Sequence, residues 1–509
     1  MKVFLPLVLV STLVSPAMAA DWRDKVAPSL LRVAEAGGET EFLVVLSEQA
    51  NLSRSAKLGT QLQKGRFVYR ALTRTAQRTQ GGVLKQLAGK ASEVQPFWIA
   101  NMIRVKGDLA TLRLAAERAE VARVVANPTV RFEGPAAGDP NLEVGESALA
   151  IEWGVNKIGA PTYWALGATG QNIVIGGQDT GYRWTHTAIK NKYRGWNGTT
   201  ADHNYNWHDS VHSGGGSCGF NSVVPCDDQG HGTHTMGTMV GDDGGTNQVG
   251  VAPGAKWIGC RNMNVGAGTP ATYSECFEWF VAPTNLAGAS PDPSKAPNVI
   301  NNSWGCPPSE GCDALTLQTV VENTRAAGIV VVVSAGNAGS ACSTVNDPPA
   351  IYEASLSVGA TDSNDVIASF SSRGLVTVDG SNRMKPDVSA PGVSVRSSTR
   401  TSDSSYGSLS GTSMAGPHVA GLVALLMSKS PALVGQPEIV KRHVQNSSKF
   451  LVGSQTCGGV PGTARPNTTF GYGRVRAVAP HDIAIDTDGN ARSEAIIYRN
   501  GAWLFFPIP

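Results

Sequence analysis

Charge, cysteine and long apolar runs are all scarce in this 509-residue chain. Only 16% of its residues are charged and the formal net charge is +2. No strong basic field therefore favours nucleic acid as a partner. All eight cysteines fall between Cys218 and Cys457, so nothing earlier in the chain can be stapled by a disulfide. Beyond Val14 no apolar run reaches the roughly 20 residues a membrane helix needs, which argues against a span in the mature chain. No repeat of 20–50 residues is evident, which excludes solenoids and propellers. A hydrophobic share of 41%, with 58 Gly and 29 Pro, is globular and excludes disordered, collagen-like and coiled-coil chains.

At the start, Lys2 precedes the apolar run Val3–Val14 and then Ala17-Met18-Ala19. This pattern predicts a secretory signal peptide over residues 1–19 and an exported protein, extracellular or periplasmic. An even cysteine count in an exported chain predicts disulfides. Zinc is disfavoured, because Cys218…Cys226 and Cys306…Cys312 are spaced too widely for a finger. Eight cysteines allow 105 pairings. Short separation favours Cys218–Cys226 and Cys306–Cys312. Cys260 follows a strand-like run and Cys276 opens the next helix, which favours that pair and leaves Cys342–Cys457.

The texture changes along the chain. Residues 41–47 and 97–107 read as strands, 54–90 and 109–120 as helices, and 121–125 as a short strand. Together they make a small α+β unit over residues 20–134. Residues 21–133 carry 18 Lys+Arg against 11 Asp+Glu, and the acidic remainder offsets them. Residues 135–150 read as a linker holding a processing site. From Trp153 onward, continuous β-branched runs appear at 172–176, 256–259 and 328–333, with helix between them, as at 314–327. Such runs predict strands covered on both faces, hence an α/β fold with a mainly parallel central sheet flanked by helices. That unit covers residues 151–480, and 481–509 form a tail.

Three patches carry chemistry. Asp179 in Gln178-Asp179-Thr180-Gly181 follows a buried strand, where open α/β sheets place their sites. Gly230-His231-Gly232-Thr233-His234 offers two histidines, one of them expected to be structural. Its spacing and lack of Glu do not suit a zinc-protease helix. Ser413 lies in Ser410-Gly411-Thr412-Ser413-Met414-Ala415-Gly416-Pro417. Proline is tolerated in the first helical turn, which predicts Ser413 at a helix N-terminus, where free N–H groups stabilise an oxyanion. Each patch alone also reads as a turn Asp, a buried His and a helix-capping Ser. In the order Asp…His…Ser they match one known arrangement of a hydrolytic triad.

With these boxes, residues 150–480 resemble the subtilisin-like serine proteases, the subtilases. The resemblance implies a serine endopeptidase with catalytic Asp179, His231 and Ser413 and an oxyanion residue Asn337, in Val333-Ser334-Ala335-Gly336-Asn337. It implies a substrate cleft flanked by Ser303-Trp304-Gly305 and Ser334-Ala335-Gly336. Residues 20–134 look like an inhibitory prodomain, so the expected partners are protein or peptide substrates and the chain's own prodomain, on a monomer. The chemistry needs no cofactor, and the resemblance leaves room for structural calcium. The loop before Val249-Gly250-Val251-Ala252-Pro253, however, departs from the family's usual calcium-ligand pattern. An inactive subtilase-fold binding or adhesion protein is the alternative reading.

Two lesser features remain. His203, His208 and His212, with Asp202 and Asp209, offer a metal set or a surface loop pinned near Cys218. The tail at 486–503 resembles a partial FG-GAP-type calcium repeat.

Overall fold

The computed structural model describes residues 21–132 and 151–478, and the strand backbone of 136–137, 484–485, 494–499 and 502–507. The expected signal peptide, most of the linker and residues 486–493 of the tail lie outside the described residues. The described tail strands form a three-stranded antiparallel sheet.

A seven-stranded, wholly parallel sheet organises the chain from residue 151 onward. From one edge its order is Val388–Pro391, Leu356–Thr361, Val330–Ser334, Val299–Asn302, Val174–Asp179, Lys256–Arg261 and Trp207–Asp209. The run Val330–Val333 shows why these strands read as continuously apolar. Val330 and Val332 join a core with Met236, Ala415, Val419 and Val423. Val331 and Val333 join a second core with Tyr273, Phe277, Val320 and Val321. Successive strand side chains face opposite ways, so burial on both faces requires apolar residues at every position. The helices His231–Val240 and Thr412–Lys429 cover the first face. Pro270–Val281 and Gln318–Ala326 cover the second. The strand Val174–Asp179 comes first in sequence but lies inside the sheet, flanked by Val299–Asn302 and Lys256–Arg261. Its carboxyl end is the switch point where chain connections diverge and a crevice opens.

Ahead of this sheet sits an α+β unit. Its antiparallel sheet runs Glu93–Phe97, Met102–Gly107, Thr40–Leu46 and Val121–Ala126. Its helices include Gln61–Leu87 and Leu109–Ala116. The long helix opens on a reciprocal cap between Thr60 and Gln63, which satisfies two otherwise unpaired backbone donors. The expected single strand 97–107 is divided by a turn at 98–101, because the backbone N–H groups of Trp98 and Ile99 donate to Glu278 Oε2 at 2.7 and 2.9 Å. The helix expected over 314–327 spans only Gln318–Ala326. Upstream of it, Asp313 Oδ1 accepts Leu315 N and pairs with Arg123, which holds a turn instead.

The α+β unit packs on the outer helices. Leu43, Val68, Leu72 and Phe97 share one core with Phe277, Trp279, Val320 and Val321. Polar contacts rim it: Gln95 to Glu275 at 2.7 Å, Asn323 to Ile99 O at 2.6 Å, and Lys64 to Gly435 O at 2.6 Å. Val130–Arg131 adds a strand antiparallel to Ala267–Gly268. A few residues later Ala136–Ala137 pairs with Leu409–Ser410. Disulfides join Cys218–Cys226, Cys260–Cys276, Cys306–Cys312 and Cys342–Cys457. The fully buried Arg261 also pins the Cys218–Cys226 loop, with two bonds to Asp209 and one each to Asp228 and Gly219 O.

Glu278 gives this interface a pH dependence. Burial raises its pKa to about 8 against the pull of the two N–H donors. A carboxyl whose pKa is raised in the docked state favours docking at low pH and loses that contribution as pH rises. The window runs from its ordinary value near 4.5 up to about 8. We expect hydrogen-exchange protection at Trp98 and Ile99, corrected for intrinsic rates, to fall at least about tenfold between pH 5 and 8. Glu278→Gln should flatten that dependence, whereas a wild-type profile flat in pH would refute it.

Candidate active site

Asp179 ends the interior strand Val174–Asp179 and is 1% exposed. Its Oδ1 lies 2.7 Å from His231 Nδ1 and accepts Thr180 N at 2.8 Å, and Oδ2 accepts the Thr235 hydroxyl at 3.3 Å. A buried carboxylate needs such donors. Getting His231 this close requires two backbones in near contact: a Cβ on Gly232 would stand 2.1 Å from Gly181 O. Glycine is the residue that permits it.

His231 opens a helix whose ten residues are all buried. The N-cap, Gly230, has no side chain to satisfy the free N–H groups, and Asp227 does so from upstream. Asp227 Oδ1 accepts from Gln229 N, Gly230 N and the Thr180 hydroxyl, and Oδ2 accepts from Thr233 N and its hydroxyl, all at 2.6–3.1 Å. This carboxylate locks the Asp179 loop to the His231 helix. Asp227 stands three residues ahead of the N-cap Gly230, outside the position where a capping acid is read from sequence. His234 is the structural histidine. Its Nε2 faces Val395 O and Gly407 O at 3.1 Å, and burial pushes its pKa down to about 3.

Ser413 is 2% exposed near the start of the helix Thr412–Lys429, which packs against the His231 helix. Here the structure corrects the sequence argument: Pro417 lies inside the helix, beyond its first turn. An interior proline forfeits the N–H that would bond the carbonyl four residues back, which is Ser413 O. The Ser303 hydroxyl donates to that carbonyl at 3.0 Å and so satisfies it. Ser413 Oγ in turn donates to Ser303 O at 3.2 Å. No hydrogen bond joins Ser413 to His231, and the buried His231 Nε2 has no partner among the described residues.

Asn337 is exposed beside Ser413, and its Oδ1 accepts both Thr412 N and the Thr412 hydroxyl at 2.9 Å. That leaves its amide nitrogen as the group available to a ligand. Ser303, Trp304, Gly305, Ser334, Gly336, Asn337 and Ser413 line one cavity of about 660 Å³, while Ala335 is buried beneath it. Ser334 donates to Thr412 O at 2.9 Å, and the Trp304 indole donates to Gln178 O at 3.1 Å. These two side chains fix the cavity wall from behind.

The three loop histidines go to separate duties. His203 Nδ1 meets Tyr193 OH at 2.9 Å, while His208 and His212 converge on the buried Glu275 at 2.7–3.0 Å. That pairing raises His212 to about 9 and holds Glu275 near 2. The loop before Val249 does not fit calcium. Asp243 is taken up by Asn247 and two backbone N–H groups, and the Arg396 guanidinium occupies Asn247 Oδ1 at 2.6 Å.

A profile described as the subtilase family matches residues 170–473. Bacillopeptidase F of Bacillus subtilis (strain 168) is 34% identical over 94% of this chain and 34% of its own length. The chain thus spans about a third of that protein. Subtilisin DY of Bacillus licheniformis is 35% identical over 56% of this chain and 88% of its own. Subtilisin E of Bacillus subtilis (strain 168) is 32% identical over 60% and 68%.

Removing the Asp227 carboxylate should be costly, since it leaves several buried donors unpaired at once. Asp227→Ala is expected to lower the free energy of unfolding by about 3 kcal/mol or more. Urea denaturation beside the milder Asp227→Asn measures it, and a change below about 1 kcal/mol would contradict the locking role.

Proposed function

The chain belongs to the subtilase family, and from that premise we propose that it is an exported serine endopeptidase, made with residues 20–134 as an inhibitory prodomain. The observation that carries this reading is the buried Asp179–His231 pair set beside a helix N-terminus bearing Ser413.

Ser413 is a weak nucleophile until a base accepts its proton. His231 Nε2, unpaired and buried, is the acceptor, while Asp179 on Nδ1 fixes the tautomer and stabilises the imidazolium. As Oγ attacks the peptide carbonyl, the oxyanion is held by the Asn337 amide and the N–H of Ser413 at its helix terminus. The imidazolium then returns the proton to the leaving amine. Water, deprotonated by the same histidine, releases the acyl group. No step needs a cofactor.

The prodomain reading is supported by how the segment approaches Ser413. Val130–Arg131 pairs with Ala267–Gly268, and the Phe132 ring lies 4.2 Å, centre to centre, from the His231 ring. Ala136–Ala137 pairs with Leu409–Ser410, just ahead of Ser413. The two pairings bracket residues 133–135, so we place the maturation cut there, where the expected prodomain meets the expected linker. A monomer acting on unfolded protein or peptide segments fits this cleft. The presence together of Asp179, His231, Ser413 and Asn337 favours an active enzyme over a binding or adhesion protein.

Ser413→Ala is the direct test. It should abolish casein hydrolysis, by several orders of magnitude, and should accumulate the unprocessed chain. Wild-type protein should yield a mature N-terminus within residues 134–136 by N-terminal sequencing. Normal activity in Ser413→Ala would refute the assignment.

A further inference from the structure

The cavity beside Ser413 holds a carboxylate that the mechanism leaves unused. Asp347 lines it together with Gly305, Ser334, Gly336, Asn337 and Ser413. The carboxylate lies between the two strips that form the cavity walls. A Cβ placed on Gly305 would stand 3.4 Å from Asp347 Oδ2, and one on Gly336 would stand 3.5 Å from the same oxygen. Both wall residues lack side chains at those points, so the oxygen is open to whatever enters between them.

Among the described residues Asp347 takes part in no side-chain hydrogen bond or ion pair. Its neighbour makes the imbalance larger. Glu310 lines the same cavity, and its Oε1 accepts Arg131 N at 3.2 Å while Oε2 is buried with no partner. Burial, reinforced by Glu310, raises the pKa of Asp347 to about 6, so it is charged at neutral pH and above. The one basic side chain lining the cavity among the described residues is Arg131, and it belongs to the segment ahead of the proposed cut. A mature enzyme would retain two acidic groups and no lining cation.

A partly desolvated, unpaired carboxylate is unfavourable by itself and becomes favourable when a cation is brought to it. In a cleft that runs past Ser413, the group best placed to do so is the side chain of the residue on the acyl side of the cut bond. Resting on the protease reading above, we infer that this pocket selects lysine or arginine at that position, with Asp347 as the specificity-determining residue. A guanidinium would satisfy it with paired hydrogen bonds, and an ammonium as a point charge. Apolar side chains would leave the carboxylate unpaired, and acidic ones would be repelled. Residues 133–150 contain no lysine or arginine; a cut within the tethered chain proceeds at high effective concentration and tolerates a poor fit to the pocket, so the preference is measured on added peptides.

The experiment uses mature enzyme and peptide anilides identical except for Arg, Lys, Leu, Phe or Glu before the anilide. We expect kcat/KM for Arg and Lys to exceed Leu and Phe by about tenfold or more, with Glu poorest. Asp347→Asn should lose most of that advantage, read as the ratio of kcat/KM for the Arg peptide to that for the Leu peptide, and a ratio unchanged in the variant would overturn the role given to Asp347. Benzamidine, a guanidinium-like probe that needs no variant, should inhibit wild-type cleavage of the Leu peptide competitively. Leu or Phe leading the series, or no inhibition by benzamidine, would overturn the inference and leave the protease reading standing. Failure to cleave any peptide would instead overturn that reading.

Discussion

The structure depends on keeping a carboxylate and an imidazole together out of water. Asp179 and His231 are 1% and 2% exposed and 2.7 Å apart. Burial on that scale is tolerable only if the carboxylate oxygens are supplied with donors, as Thr180 N, the Thr235 hydroxyl and His231 Nδ1 do here. Much of the local sequence follows from this. Gly181 and Gly232 allow the strand-end loop and the helix start to touch. Thr180, Thr233 and Asp227 stitch the same two segments together. Arg261, without exposed surface, holds the next loop through Asp209 and Asp228. The apolar sheet behind supplies the dry floor.

The Ser413 side of the cleft solves a different problem. Pro417 removes a hydrogen bond from the helix, and the deficit falls on the carbonyl of Ser413 itself. Ser303 fills it, and its own carbonyl receives the Ser413 hydroxyl. Thr412 meanwhile fixes the oxygen end of Asn337. One wall of the cleft is therefore bonded directly to the backbone of Ser413, which limits how far Ser413 can drift from Asn337. The α+β unit reaches the same cleft from the opposite face. Its long helix and its turn at 98–101 seat on the outer helices, and its last described residues run along the strand-like edge at Ala267–Gly268.

Much of this was legible in the sequence because it rests on short-range rules. Runs such as Val330–Val333 announce a doubly covered strand, and the boxes around Asp179, His231 and Ser413 are local patterns. What escaped detection depends on partners distant in the chain. The turn inside 97–107 exists because Glu278, some 180 residues away, captures two backbone donors. Pro417 pointed to the right helix terminus through an incomplete argument, since its cost is met by Ser303, 110 residues earlier than Ser413. Asp227 and Asp347 lie outside the three boxes, in stretches with no local pattern. Only the fold shows that one locks two segments together and the other faces the cleft.

The central claim is that Ser413 is a nucleophile activated by the Asp179–His231 pair. The most direct measurement is covalent labelling with phenylmethanesulfonyl fluoride, in which a serine oxygen displaces fluoride and becomes sulfonylated. Peptide mapping by mass spectrometry then locates the adduct. The account predicts one stoichiometric adduct, on Ser413, with loss of activity in parallel and no adduct in His231→Ala. Labelling at another serine, or activity that survives full modification of Ser413, would contradict it.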